Sequence, residues 1–179
     1  MRILPRVAAF TAALVAVALS ATLAVAASGA TRGESSLGPL DRQVLAAINA
    51  YRAQHHLHAL TLSGGLDRSA AQHSFEMGSD GYFAHNSANG RAFWKRIQAY
   101  YGSSRSNYWS VGENLLWASP AVTAQRAMQL WIASPEHKAN LLAARWRQIG
   151  ISAVHVVAAP GTYHGLTVTI ITTDFGVRS

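Results

Sequence analysis

Through most of residues 40–142 the apolar positions recur at helical spacing; residues 148–156 are β-branched and apolar, and residues 166–175 alternate. Helical spacing puts side chains on one face of a helix, alternation on one face of a strand. Val44, Leu45, Ile48 and Tyr51 define a first helix, with Asp41 as its expected cap and His55-His56 at its end. Ser63 is the expected cap of a second helix, whose stripe is Leu66, Ala70, His73 and Met77 and which Ser79-Asp80-Gly81 stops. Tyr82 to Gly90 reads as a loop. Phe93, Trp94, Ile97 and Tyr101 form the face of a third helix, followed by a polar turn from Gly102 to Asn107. Tyr108 to Trp117 reads as a strand. Pro120 fits the first turn of a fourth helix, with Ala124, Met128, Trp131 and Ile132 as its core stripe. Ser134-Pro135-Glu136 restarts a short helix that holds Asn140, Leu141 and Leu142. Gln148 to Val156 and Leu166 to Phe175 are strands, and the loop around Pro160-Gly161 makes them an antiparallel hairpin. Helices that lead and strands that close predict an α+β fold rather than a βαβ repeat.

The N-terminus carries another pattern. Arg2 and Arg6 precede a nearly unbroken apolar run from Val7 to Ala27, which closes on Ala24-Val25-Ala26. This is the form of an export signal, with cleavage expected after Ala26 and Ala27 or Ala30 as alternatives. The competing reading is an uncleaved anchor, because the run approaches the roughly 20 residues that span a bilayer. Residues 1–26 are thus the expected signal peptide, 27–39 a Ser- and Gly-rich linker, and 40–179 one domain. The domain is expected to be secreted, or held outside by the anchor, with no membrane span once the leader is gone. The chain has no cysteine, which excludes disulfides and a lipid-modified cysteine and leaves the fold to its core. Its formal charge of +7 falls to +5 without the two leader arginines. The remaining basic residues are scattered rather than clustered, so nucleic acid is not an expected partner, while an anionic cell-envelope polymer is compatible with the charge.

Three short signatures carry the candidate chemistry: Gly81-Tyr82-Phe83-Ala84-His85, Gly112-Glu113-Asn114, and Trp131-Ile132-Ala133-Ser134-Pro135-Glu136-His137. Imidazole and carboxylate are the parts of a metal site or an acid–base site. His85, His137 and Glu113 together match the three protein ligands of an open zinc site. Glu113 matches equally well a carboxylate that orients one of the histidines without touching the metal. Asn114 and Asn140 read as structural amides that pin backbone groups around the cleft. Ser134 reads as a helix cap whose Oγ is committed to a backbone N–H, which argues against a Ser–His hydrolase. His73 reads as a core histidine, and Trp131 as core. There is no Gly-x-Ser-x-Gly elbow, no Cys nucleophile and no His-Glu-x-x-His.

The signatures in this order, followed by Asn140-Leu141-Leu142, Ile149-Gly150-Ile151 and Asp174-Phe175-Gly176, resemble the CAP superfamily of cysteine-rich secretory, antigen 5 and pathogenesis-related 1 proteins. The likeness is greatest to the cysteine-free bacterial type, the SCP-like extracellular proteins, and covers residues 40–176. The resemblance implies an α-β-α sandwich with a central antiparallel sheet and a cleft lined by two histidines and two acids. Carried over, the histidines are His85 and His137 and one acid is Glu113. The second acid has no counterpart, since Ser134 stands at its place. The resemblance also implies binding of a small apolar or lipid ligand in some members, and of a divalent metal such as Zn2+ in others.

The expected function is therefore an exported binding domain, more readily a non-enzyme than an enzyme. The alternatives are a metal-assisted hydrolase of peptide or cell-wall substrate, using His85, Glu113 and His137 as catalytic candidates, and an envelope-interaction scaffold without chemistry. Oligomeric state and ligand identity are left open by the sequence.

Overall fold

The computed structural model describes residues 37–103 and 107–179. The expected leader, all but the end of the linker, and part of the polar turn after the third helix lie outside the described residues. Five α-helices lie among the described residues: α1 (Pro39–Gln54), α2 (Gly64–Asp80), α3 (Phe93–Tyr100), α4 (Ala124–Ala133) and α5 (Pro135–Leu141). Four strands form one sheet: β1 (Thr61–Leu62), β2 (Trp109–Ala118), β3 (Gln148–Val156) and β4 (Val168–Arg178). Their spatial order is β1-β3-β4-β2. β4 pairs antiparallel with β2 on one side and with β3 on the other, so the last strand is central and β2 is an edge. The expected α+β class and the β3–β4 hairpin are thus present. The short β1, missed in the sequence, pairs parallel to β3, so the sheet is antiparallel except at that corner.

Alternation along the strands sorts the core onto two faces. Ile149, Ile151, Ile171 and Phe175 pack with Val44, Ile48, Met128, Trp131 and Trp146 beneath α1, α4 and α5. Leu115, Val168 and Ile170 pack with Met77, and Leu66 packs with Ile97 and Tyr101, beneath α2 and α3. The result is a helix–sheet–helix sandwich. Among the described residues no helix is long and apolar enough to cross a membrane.

Two helix starts differ from expectation, each for a local reason. α1 begins at Pro39, with Gly38 at the cap; Pro39, expected in the linker, fits a first turn that needs no N–H. Asp41 works from inside that turn. Its Oδ2 accepts the Gly38 N–H at 2.9 Å, and its Oδ1 accepts the Ala153 N–H of β3 at 2.8 Å. α4 begins at Ala124, not near Pro120, because Thr123 supplies a side-chain cap to the Arg126 N–H at 3.2 Å. β4 starts at Val168, two residues later than expected, and leaves Leu166 exposed.

The sandwich needs close approach of α2 to the sheet. Gly150 of β3 lies directly under the backbone of Leu66 and Asp67, which a Cβ would overlap. Gly150→Ala is expected to push α2 off the sheet and destabilise the fold by about 3 kcal/mol, the upper part of the overpacking range. Chemical denaturation of the two proteins checks this; an unchanged midpoint would mean that the helix is not seated where described.

Candidate functional site

β2 places two consecutive side chains on opposite faces of the sheet, and each serves one of the candidate histidines. Glu113 turns toward α2 and α3. Its side chain is only 1% exposed, whereas that of His85 is 53% exposed. One carboxylate oxygen, Oε1, lies 2.7 Å from His85 Nδ1. The other, Oε2, accepts a hydrogen bond from Arg96 Nη2. A carboxylate paired with an arginine has only acceptors to offer, so His85 donates through Nδ1–H and its Nε2 lone pair is left toward the cleft. Arg96 is itself buried and spends a second N–H, on the His85 carbonyl at 3.1 Å. One guanidinium therefore holds both the ring's partner and the ring's own backbone.

Asn114 turns to the α5 face. Its Nδ2 donates to the His137 carbonyl at 3.1 Å, and its Oδ1 accepts from Asn140 Nδ2 at 3.0 Å. Trp146 Nε1 donates to the Asn140 carbonyl at 3.0 Å and lies 3.1 Å from Asn140 Oδ1. This strut passes directly over Gly112, where a Cβ would come within 2.6 Å of Asn140 Oδ1 and 2.8 Å of Trp146 Cζ2. The glycine of Gly112-Glu113-Asn114 is thus the space in which the amide strut sits. Asn114 and Asn140 are thus hydrogen-bonded to each other and, through Asn114, to the backbone of His137 beside the cleft. Ser134 differs. It occupies the cap position of α5, but among the described residues its Oγ makes no hydrogen bond to the helix and none to His137. Its contribution is through its backbone, whose carbonyl accepts the Lys138 N–H at 2.9 Å.

His85, Glu113, Asn114, Glu136, His137, Ala139, Asn140, Ala143 and Arg145 line one cleft of about 320 Å³ beside the edge strand. Both imidazoles are less basic than usual. Burial comes first for His85, then the Arg96 charge, opposed by Asp174 and Glu136. For His137 burial comes first, then His85. Burial also pushes the Glu113 carboxyl up to about 7, against the lowering effect of Arg96. Behind it, fully buried, sits Asp174, its direct partner in the β2–β4 register. Burial and then the Glu113 charge raise Asp174 well above the carboxylate range, which favours its neutral form.

Arg96 was given no site role from the sequence, and Asp174 appeared there only in the Asp174-Phe175-Gly176 motif. His73 was singled out as a core histidine, and it has a further role. Buried on α2, its Nε2–H donates to the Ala84 carbonyl at 2.9 Å, and its Nδ1 faces the Tyr82 hydroxyl at 3.4 Å. It thereby holds the loop one residue before His85. Burial, then Arg96, drives its pKa down to about 3.

The donor set falls short of a three-ligand metal centre. Both Glu113 oxygens are committed to His85 and Arg96, and among the described residues no three His, Asp or Glu side chains are placed to hold one ion. His85, Glu113 and His137 all line the cleft, and Glu113 is placed behind His85, where it can orient the ring through Nδ1, one of the two roles its sequence allows.

Residues 45–169 match the profile of the cysteine-rich secretory protein family, CAP. The uncharacterised protein YkwD of Bacillus subtilis (strain 168) is 27% identical over 124 residues, 69% of this chain and 46% of that protein. The chain thus spans about half the length of that curated relative. Among solved structures, an outer surface protein of Borrelia burgdorferi aligns with a TM-score of 0.59 at 21% identity, covering 77% of this chain and 92% of that one. An extracellular protein with an SCP domain from Bacillus anthracis also aligns with a TM-score of 0.59, at 23% identity, covering 82% of this chain and 45% of that one. These likenesses show the fold.

Two measurements test the bracing. Arg96→Met strands the buried Glu113 charge and is expected to cost about 3–5 kcal/mol, part of which Glu113→Gln added to it restores; equal losses in both proteins would deny the pair. For His73, the folded-state pKa of about 3 lies below the ordinary 6.5. Between those values the unfolded chain binds a proton that the folded chain does not, so stability falls as pH drops from 6.5 toward 3. The slope from this group is about 1.4 kcal/mol per pH unit, and it should be missing from the pH–stability curve of His73→Gln.

Proposed function

The chain belongs to the cysteine-rich secretory protein (CAP) family, and on that premise we propose that it is an exported binding module that holds a small polar ligand between His85 and His137 without turning it over. The observation that carries this is the Glu113 brace, which fixes one tautomer of His85 and aims its Nε2 into an open cleft shared with His137. A hydrolase would set a nucleophile and paired N–H donors beside such a base. The lining side chains here carry no hydroxyl or thiol. Export is supported by the leader pattern of residues 1–26 and by the outer-surface and extracellular names of the structural relatives.

Zinc is outside this reading, because two imidazoles alone leave an ion half its usual protein ligands. Calorimetry with zinc is expected to show no saturable heat in the micromolar range. Casein and cell-wall fragments are expected to survive incubation with the protein. Chelator-sensitive turnover that Glu113→Gln abolishes would overturn the proposal in favour of metal-assisted hydrolysis.

A second reading, an apolar or lipid ligand, is favoured by a separate groove of about 520 Å³ lined by Phe75, Ser79, Val154, His155, Val156 and Val157. Phe75 and Val157 are 68% and 72% exposed there. Native mass spectrometry after incubation with palmitate should give an adduct that the double substitution Phe75→Ser, Val157→Ser removes. A clean spectrum of the parent protein would sink this reading and leave the polar cleft untouched.

A further inference from the structure

We propose that Arg145 selects the ligand of this cleft, and that the ligand is a saccharide bearing an oxyanion, carboxylate or phosphate, which the guanidinium clasps while a hydroxyl of the same sugar donates to His85 Nε2. The proposal rests on the cleft being a binding site and adds what it binds.

Arg145 is mounted rather than loose. Its guanidinium lies 4.1 Å from the Trp146 ring centroid, and the Trp146 indole is anchored to Asn140. A guanidinium held over an indole face restricts the side chain, and its planar fork of N–H donors suits bidentate contact with an oxyanion. Those groups are uncommitted. Among the described residues Arg145 donates no hydrogen bond and has no carboxylate within ion-pair distance, since both ion pairs present converge on Glu113. Arg91 and Arg147, by comparison, spend donors on the carbonyls of Lys95 and of Ala144 and Trp146.

The rest of the lining asks for hydroxyls. With Nδ1–H committed to Glu113, His85 offers a lone pair, and Glu136 offers a carboxylate that repels an anion placed beside it. A ligand that satisfies the whole cleft must therefore present its anion at Arg145 and O–H donors elsewhere. A volume of about 320 Å³ is at the small end of ligand pockets and accommodates one ring. A sugar with one acidic substituent meets these conditions.

The test titrates the full chain with four probes and follows the His85 and His137 ring signals by NMR. The probes are N-acetylmuramic acid and N-acetylglucosamine, which differ by a lactyl carboxylate, and glucose 6-phosphate and glucose, which differ by a phosphate. At least one acidic sugar is expected to bind about tenfold more tightly than its neutral partner, the scale of a charge-assisted hydrogen bond. Which acid gains names the oxyanion. Arg145→Gln should erase the difference while the protein stays folded through the titration range, and Arg145→Lys should keep part of it. Equal binding of acidic and neutral sugars, or an acid preference that persists in Arg145→Gln, overturns the proposal while the cleft stands as a binding site. No response of either ring to any of the four probes, with Arg145 substituted or not, counts against the cleft itself as a saccharide site and overturns the proposal with it.

Discussion

The site depends on one buried ion pair. Moving the Glu113 carboxylate out of water costs several kcal/mol, and only the Arg96 guanidinium stands against that cost as a full opposite charge. Because the same guanidinium also binds the His85 carbonyl, α3, the His85 loop and β2 are tied at one point. The geometry of the cleft is thus inseparable from the stability of that pair. A change in the loop that pulled His85 away would also expose a charge that the interior cannot hold alone, which makes the position of His85 rigid in a way that loop packing by itself would not.

The period of two along β2 explains why the site sits at the sheet edge. Neighbouring residues of a strand face opposite ways, so Glu113 and Asn114 reach the helical layer on each side and bring one histidine from each. The two histidines are held differently. His85 is fixed by its ring, through Glu113; His137 is fixed by its backbone, through Asn114 and the Asn140–Trp146 strut. One imidazole is thereby preset in tautomer and direction, while among the described residues the ring of the other makes no hydrogen bond. Such a pair suits recognition of a ligand whose one donor is placed first and whose remainder is accommodated afterwards.

Much of this was legible in the residues. Helical spacing marks α1 to α4, the Ser134-Pro135-Glu136 restart marks α5, β-branched and apolar content marks β3, alternation marks β4, and the three signatures name His85, Glu113 and His137 directly. What was not legible has specific causes. Arg96 lies in a short amphipathic helix, where a charge ordinarily reads as a solvated face, and its burial follows only from the approach of α3 to β2. Asp174 sits among threonines in an alternating strand, and nothing local reveals that its face is the interior one next to Glu113. Whether Glu113 is a ligand or a brace turns on which way one strand faces and on what lies 2.7 Å away, neither of which a single sequence carries. The start of α4 was misplaced because Pro120 and Thr123 are both good starters, and the side-chain cap of Thr123 prevails.

Asp174 completes the electrostatic logic. Two carboxyls buried side by side with one guanidinium between them cannot both ionise cheaply. Glu113 has the Arg96 contact and the His85 N–H, whereas among the described residues Asp174 has no cation within ion-pair distance. The single compensating charge therefore goes to Glu113, and Asp174 is favoured as the neutral acid. A neutral Asp174 in turn spares Glu113 a like-charge neighbour that would drive it toward protonation and would deprive His85 of its acceptor. The buried Arg96 Nε, which has no partner among the described residues, marks a stability cost that a well-packed apolar interior would not carry. That cost falls beside the one side chain whose orientation the cleft requires, which is the pattern expected where an interior has been shaped for a site rather than for the fold.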